Sequence, residues 1–196
     1  LLNDGVEVEI SSQNISRRNF TWSTDFNFTW QRSVVKNLPN NGADIIYGDG
    51  GMYIHREGES MYSFYLPEWK GVDAETGLGE FWVDPLDHSQ GVTNYYSQAG
   101  SAIVGKALPD FTGGMTNTMT FLDGLLDLSF LISYQFGGSL FDYPGYFTHS
   151  DGFRAASMNA AADAADYWTP QNRDAKFPKP IMNNPYRWDR FSSRLI

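Results

Sequence analysis

The chain has 196 residues, with 14 Lys+Arg against 23 Asp+Glu and a formal net charge of −9. That length suits one ordinary domain or two small ones. The acidic balance does not favour nucleic acid, whose binding leans on a basic face. Cysteine is absent, which excludes disulfide scaffolds, Cys-ligated zinc and Cys nucleophiles, and 3 His leave little for a metal site.

Residue 1 is Leu, and no basic segment followed by an apolar core precedes the first strand pattern. No apolar run is long enough for a transmembrane helix. The chain reads as an internal piece of something longer.

The first strand is expected near 5–12. Val6, Val8 and Ile10 alternate with Glu7, Glu9 and Ser11, after the turn residues Asn3-Asp4-Gly5. The clearest strand is expected over 20–36. Phe20, Trp22, Thr24, Phe26, Phe28 and Trp30 share one face, and Thr21, Ser23, Asp25, Asn27 and Thr29 the other. The period of two rules against a helix.

Pattern is lost over 37–106, a stretch rich in Gly, Asn, Asp, Tyr and Trp. So long a loop is functional or disordered, and its aromatic content speaks against disorder. Within it, Glu80-Phe81-Trp82-Val83-Asp84 suggests a small strand outside the main sheet. Pattern returns near 107–122, with Met115, Met119 and Phe121 opposite Thr116, Thr118 and Thr120. A tight-turn signal follows at Leu122-Asp123-Gly124.

The last long strand is expected over 125–138. Leu126, Leu128, Phe130, Ile132, Tyr134 and Phe136 face one way, and Asp127, Ser129, Leu131, Ser133 and Gln135 the other. A second long loop, 139–196, holds one helix candidate at 153–167. That candidate is rich in Ala, with Ser150 or Asp151 as N-cap.

Strands of about 11 residues, tilted by about 45°, rise roughly 25 Å, the height of an outer-membrane apolar band. Aromatics sit at their ends, as interfacial girdles require. The set Phe20, Trp22, Phe26, Phe28, Trp30, Phe130, Tyr134 and Phe136 is therefore expected to face lipid. The opposite faces are small and polar, as a wet lumen requires. Connections alternate short and long, so 13–19 and 122–125 are expected to be periplasmic and the two long loops extracellular.

The expected class is all-β, an antiparallel transmembrane barrel segment of about four long strands in two hairpins. The competing reading is a soluble or surface-anchored β-sandwich that binds glycans and buries the same aromatics. Four strands cannot close a barrel, so the remaining strands must come from further chain.

Several pieces, in order, resemble the C-terminal part of the barrel of SusC/RagA-type TonB-dependent outer-membrane transporters. They are Asn3-Asp4-Gly5-Val6-Glu7-Val8-Glu9, residues 20–28, Gly71-Val72-Asp73-Ala74-Glu75-Thr76-Gly77 and Ala107-Leu108-Pro109-Asp110-Phe111-Thr112-Gly113-Gly114. Asn117-Thr118 and Asp127-Leu128-Ser129-Phe130 follow. A fifth piece is Trp168-Thr169-Pro170-Gln171-Asn172 with Asp174-Ala175-Lys176-Phe177-Pro178.

The resemblance implies a plugged barrel of roughly 22 strands in the outer membrane of a Gram-negative bacterium. It also implies import of oligosaccharides or peptides driven by the TonB complex, with a SusD-type surface lipoprotein as lid. The plug, the TonB-contacting segment and the closing strands are not in this chain. These residues are expected to supply part of the wall and of the outer vestibule, in contact with outer-membrane lipid.

No enzyme site, cofactor or metal is expected. Glu7, Glu9, Asp25 and Asp127 read as lumen lining rather than acid–base pairs. His55, His88 and His149 lack metal-ligand spacing. Gly48-Asp49-Gly50-Gly51 lacks the rest of a calcium or phosphate loop. Substrate contacts are assigned to loop aromatics, namely Trp69, Trp82, Tyr95, Tyr96, Trp168 and Trp188, whose flat faces suit sugar or peptide stacking.

Overall fold

The computed structural model describes residues 1–149, 157–182 and 195–196. Two compact units emerge. The first comprises Leu1–Ala43, Arg56–Met61 and Lys106–Gly138, and the second Asp44–His55, Tyr62–Gly105 and Ser139–Ile196.

The strands in chain order are β1 (Leu2–Arg17), β2 (Phe20–Val34), β3 (Ile45–Tyr47), β4 (Tyr53–His55), β5 (Ser63–Pro67) and β6 (Trp69–Val72). They continue with β7 (Gly79–Trp82), β8 (Val92–Thr93), β9 (Ser101–Lys106), β10 (Phe111–Phe121) and β11 (Leu126–Phe136).

The first unit is one antiparallel sheet of order β1-β2-β10-β11. Phe111 lies opposite Trp30 and Phe121 opposite Phe20. The two tight turns, 18–19 and 122–125, therefore share one end of the sheet. The chain leaves for its long connections from the other end. Asn19 O accepts from Leu122 N at 2.9 Å, which ties the two turns together. Beyond β2, Val35 exchanges backbone bonds with Glu59 (2.9 Å) and Gly58 (2.8 Å), so the 56–61 turn caps that strand.

β1 runs further than the alternation of 5–12 suggests. Ile10 and Ile15 are five residues apart and would point to opposite faces of a regular strand. The register shifts between Gln13 and Ile15. The extra residue, Asn14, restores Ile15 to the face of Ile10, opposite Trp22. At the other strands the ends differ slightly. β2 stops at Val34, and β10 starts at Phe111 because Pro109 cannot join the ladder there. β11 stops at Phe136 before Gly137, whose φ is 83°.

The second unit holds the core. Of the buried apolar residues, Met52, Ile54, Phe64, Leu66, Phe81, Ala102, Phe141, Ala175 and Phe177 belong to it, and Val35 to the first unit. Its sheets are β3-β4-β5-β9 and β6-β7-β8. The stretch expected to be an irregular loop is thus built from strands of two to six residues, too short to show a period. Glu80–Trp82 does form a small strand outside the main sheet, as part of β7.

The expected helix at 153–167 is not formed where it is described. Residues 157–161 are irregular, and only Ala162–Ala165 makes a single 3-10 turn. An alanine run has no large apolar side chains at helical spacing with which to dock. Ser150, Asp151 and residues 153–156 lie outside the described residues. A short helix, Tyr143–Thr148, precedes them, capped by Asp142, which accepts from Gly145 N at 2.8 Å.

Candidate functional site

The sheet of the first unit is two-faced. Rows run across it as Val6-Trp30-Phe111-Phe136, Val8-Phe28-Gly113-Tyr134 and Ile10-Phe26-Met115-Ile132. Toward the turns follow Ile15-Trp22-Met119-Leu128 and Arg17-Phe20-Phe121-Leu126. All eight sequence-assigned girdle and face aromatics fall on this one face. It is a single layer. Val6 (55%), Ile10 (55%), Phe130 (42%) and Ile132 (50%) remain exposed, where a sandwich would bury them.

Several polar side chains on this face find partners within the sheet. The row Ser12-Thr24-Asn117-Phe130 interrupts the apolar ones. There Asn117, 4% exposed, accepts from Trp22 Nε1 at 2.9 Å and from Thr24 Oγ1 at 2.7 Å. Asn14 Nδ2 donates to Thr24 Oγ1 at 2.6 Å, so the bulge joins the same network. Tyr134 lies across Gly113 and donates to Asn27 O at 3.0 Å, two strands away. A Cβ on Gly113 would strike both that hydroxyl and that carbonyl. At the end distant from the turns, Asp4 and Arg32 form a two-point pair at 3.0 and 2.7 Å.

The opposite face carries Glu7, Glu9, Asp25 and Asp127. Glu7 lies opposite Thr29, Glu9 opposite Asn27, Asp25 opposite Ser11, and Asp127 opposite Thr120. No two of these carboxylates face each other directly, so the register assembles no acid–base dyad.

In the second unit the loop aromatics have separate fates. Trp69 and Tyr96 pack edge-on against Phe81, with ring centroids at 5.2 and 5.5 Å, around the Phe81–Phe177 core. Trp82 stacks flat on His88 at 3.9 Å, and His88 Nε2 lies 3.3 Å from Glu68. Tyr95 is 43% exposed. Trp168 donates to Ala74 O at 3.0 Å. Trp188 lies outside the described residues. Trp69, Tyr96 and Trp168 thus have evident packing roles, Trp82 is half-buried against His88, and Tyr95 is the exposed one among the described five.

Trp168 explains two motifs at once. In the 71–77 turn Asp73 accepts from Glu75 N at 3.0 Å and from Thr76 Oγ1. Gly77, with φ of 72°, leaves room for the Trp168 indole. Lys179 N donates to Gly77 O at 2.9 Å, and Arg173 pairs with Glu75 at 2.8 Å. The 71–77 and 168–178 motifs are each other's packing partners.

The hydroxyl of Thr76 and the backbone N–H of Glu75 hold the Asp73 carboxyl below its ordinary value. A lowered pKa stabilises the turn at neutral pH, and this is lost as pH falls through the folded value. Protease nicking at 71–77 in the intact receptor should rise only below pH about 4. Asp73→Asn should abolish that dependence; an unchanged acid profile in the variant would contradict the assignment.

One cavity of about 420 Å³ opens in the second unit. Its lining is mostly apolar and includes Phe147, Met158, Ala161, Ala164, Tyr167 and Phe177. Among the described residues, none of the loop aromatics singled out from the sequence lines it. His149 also lines it, stacked on Phe177 at 4.7 Å, with Nε2 2.7 Å from Asp163 Oδ1. The hydrogen bond from His149, helped by Lys176, holds the Asp163 carboxyl below its ordinary range. The sequence signal for this cavity was the alanine run itself, whose small side chains leave space rather than fill it. Among the described residues no group of three His, Asp or Glu could hold a metal ion.

No family model matches the chain. TonB-dependent receptor P3 of Formosa agariphila is 30% identical over 100% of the chain. Receptors P39 and P26 of the same organism are 28% and 25% identical over 72% and 91% of it. The chain spans about one-fifth of the length of these relatives, 20% for P3. Its fold matches the RagAB peptide transporter with a TM-score of 0.80, at 20% identity, over 98% of this chain and 21% of that one. The RagAB peptide importer in the closed-closed state matches at 0.80 and 21% identity, over 99% of this chain and 21% of that one. With relatives along its whole length, the chain belongs to the TonB-dependent receptors, as a segment that shares its fold with part of RagAB.

Proposed function

We propose that the chain is part of the wall of an outer-membrane transporter that imports oligosaccharides or peptides under TonB drive. The observation that carries this reading is the one-layer sheet with an exposed apolar face and, among the described residues, two unpaired edges. Its strands β10 and β11 have 11 residues each, enough at about 45° tilt to cross roughly 25 Å. The apolar face meets lipid, the polar face the lumen, and the turns at 18–19 and 122–125 the periplasm. The edges of β1 and β11 pair with strands supplied by the rest of the receptor, which also carries the plug. A SusD-like surface lipoprotein closes the vestibule from outside.

The second unit contributes to that vestibule. Its apolar cavity suits a hydrophobic side chain better than a sugar, which supports the peptide arm. The Trp82–His88 shelf offers a flat face to either ligand.

Replacing Trp82 and Tyr95 by alanine in the complete transporter removes the aromatic faces of this region and leaves the Phe81 core in place. Uptake of labelled peptide or oligosaccharide by whole cells should fall, with the receptor still inserted in the outer membrane. Unchanged uptake and unchanged affinity would remove the vestibule assignment.

A further inference from the structure

Arg17 closes β1, and the register sets it opposite Phe20, in the row that continues through Phe121 to Leu126. It stands at the end of the apolar face. Its side chain is exposed and makes no ion pair or hydrogen bond among the described residues. At the other end of the same face Arg32 has the two-point partner Asp4. Arg18, next in the turn, has a side chain 90% exposed, and Asp123 approaches it only to 4.0 Å. In the neighbouring turn Leu122 and Leu125 are 61% and 81% exposed. This corner therefore sets two guanidinium groups beside bare leucine and phenylalanine surface.

A guanidinium at the boundary of hydrocarbon keeps its stem on apolar surface and turns its fork to the headgroup layer. The fork matches a phosphate in two-point geometry. A zwitterionic headgroup brings its own cation, so charge complementarity favours a lipid with net negative charge.

We propose that Arg17 and Arg18 hold the phosphate of an anionic phospholipid in the periplasmic leaflet, with its acyl chains over Phe20, Phe121, Leu125 and Leu126. This rests on the reading of the sheet as membrane wall.

The test uses the complete receptor in nanodiscs of mixed phosphatidylethanolamine and phosphatidylglycerol. Lipid retained after extraction into mild detergent is counted by native mass spectrometry. The double variant Arg17→Gln/Arg18→Gln should retain about thirtyfold less phosphatidylglycerol per receptor. Its phosphatidylethanolamine should be unchanged, and Lys36→Gln, at the far end of the sheet, should behave as wild type. If the double variant does not insert, Arg18→Gln alone, at an exposed turn position, should show a fall of about fivefold.

Wild-type retention in the inserted double variant overturns the proposal, and so does wild-type retention in Arg18→Gln where that variant stands in for it. A loss that Lys36→Gln reproduces also overturns it. Failure of the membrane-wall reading looks different: the wild-type receptor itself would then not be recovered in the bilayer.

Discussion

Phe26→Arg in the complete receptor should cost about 2–4 kcal/mol of stability in a bilayer, the penalty for a cation near the midplane of a lipid-facing barrel surface. Phe26 lies midway along its strand, between Phe20 and Arg32, with Ile10 on one side and Met115 on the other. A guanidinium there reaches neither headgroup layer. Asp25→Arg, one residue away on the polar face, should cost far less, because a wet lumen solvates either charge. Denaturant titration of the refolded receptor in lipid vesicles measures both. Equal costs for the two substitutions would mean that the two faces see the same solvent, against the barrel reading.

Gly77→Val should be the most damaging change in the second unit. The backbone there has φ of 72°, a region that L-residues avoid and β-branched ones avoid most. A Cβ would also overlap the indole of Trp168. Left-handed strain of about 1–2 kcal/mol and overpacking of about 1–3 kcal/mol together give roughly 2–5 kcal/mol. Displacing Trp168 releases its bond to Ala74 and exposes the 168–178 segment. Limited proteolysis should show new cleavage near 71–77 and 168–178, while insertion of the receptor in the membrane persists. Unaltered proteolysis would show that the turn does not depend on this close approach.

Period-two alternation made β2 and β11 visible in the sequence, because each has enough residues for the pattern to stand out against chance. It concealed the far end of β1, where Asn14 inserts a residue and inverts the parity of everything after it. Short strands such as β4 and β8 offer two or three positions, too few to separate a strand from an apolar loop. The face aromatics were legible because alternation alone fixes which side they share. The loop aromatics were not, since their partners are distant in sequence: Trp69 and Tyr96 meet at Phe81, and Trp168 meets Gly77. The alanines at 160–165 misled most. Their helix propensity is real, but propensity without a docking face does not hold a helix.

The central claim is that the Phe26 face meets lipid and the Asp25 face meets water. Nitroxide labels placed singly at 26, 28, 130 and 132, and at 25, 27, 129 and 133, in the complete receptor in vesicles, test it by collisional accessibility. The account predicts that the first set relaxes with oxygen dissolved in the bilayer and the second with a water-soluble nickel chelate. A first set shielded from both reagents, as inside a sandwich, or open to nickel as freely as the second, would contradict it.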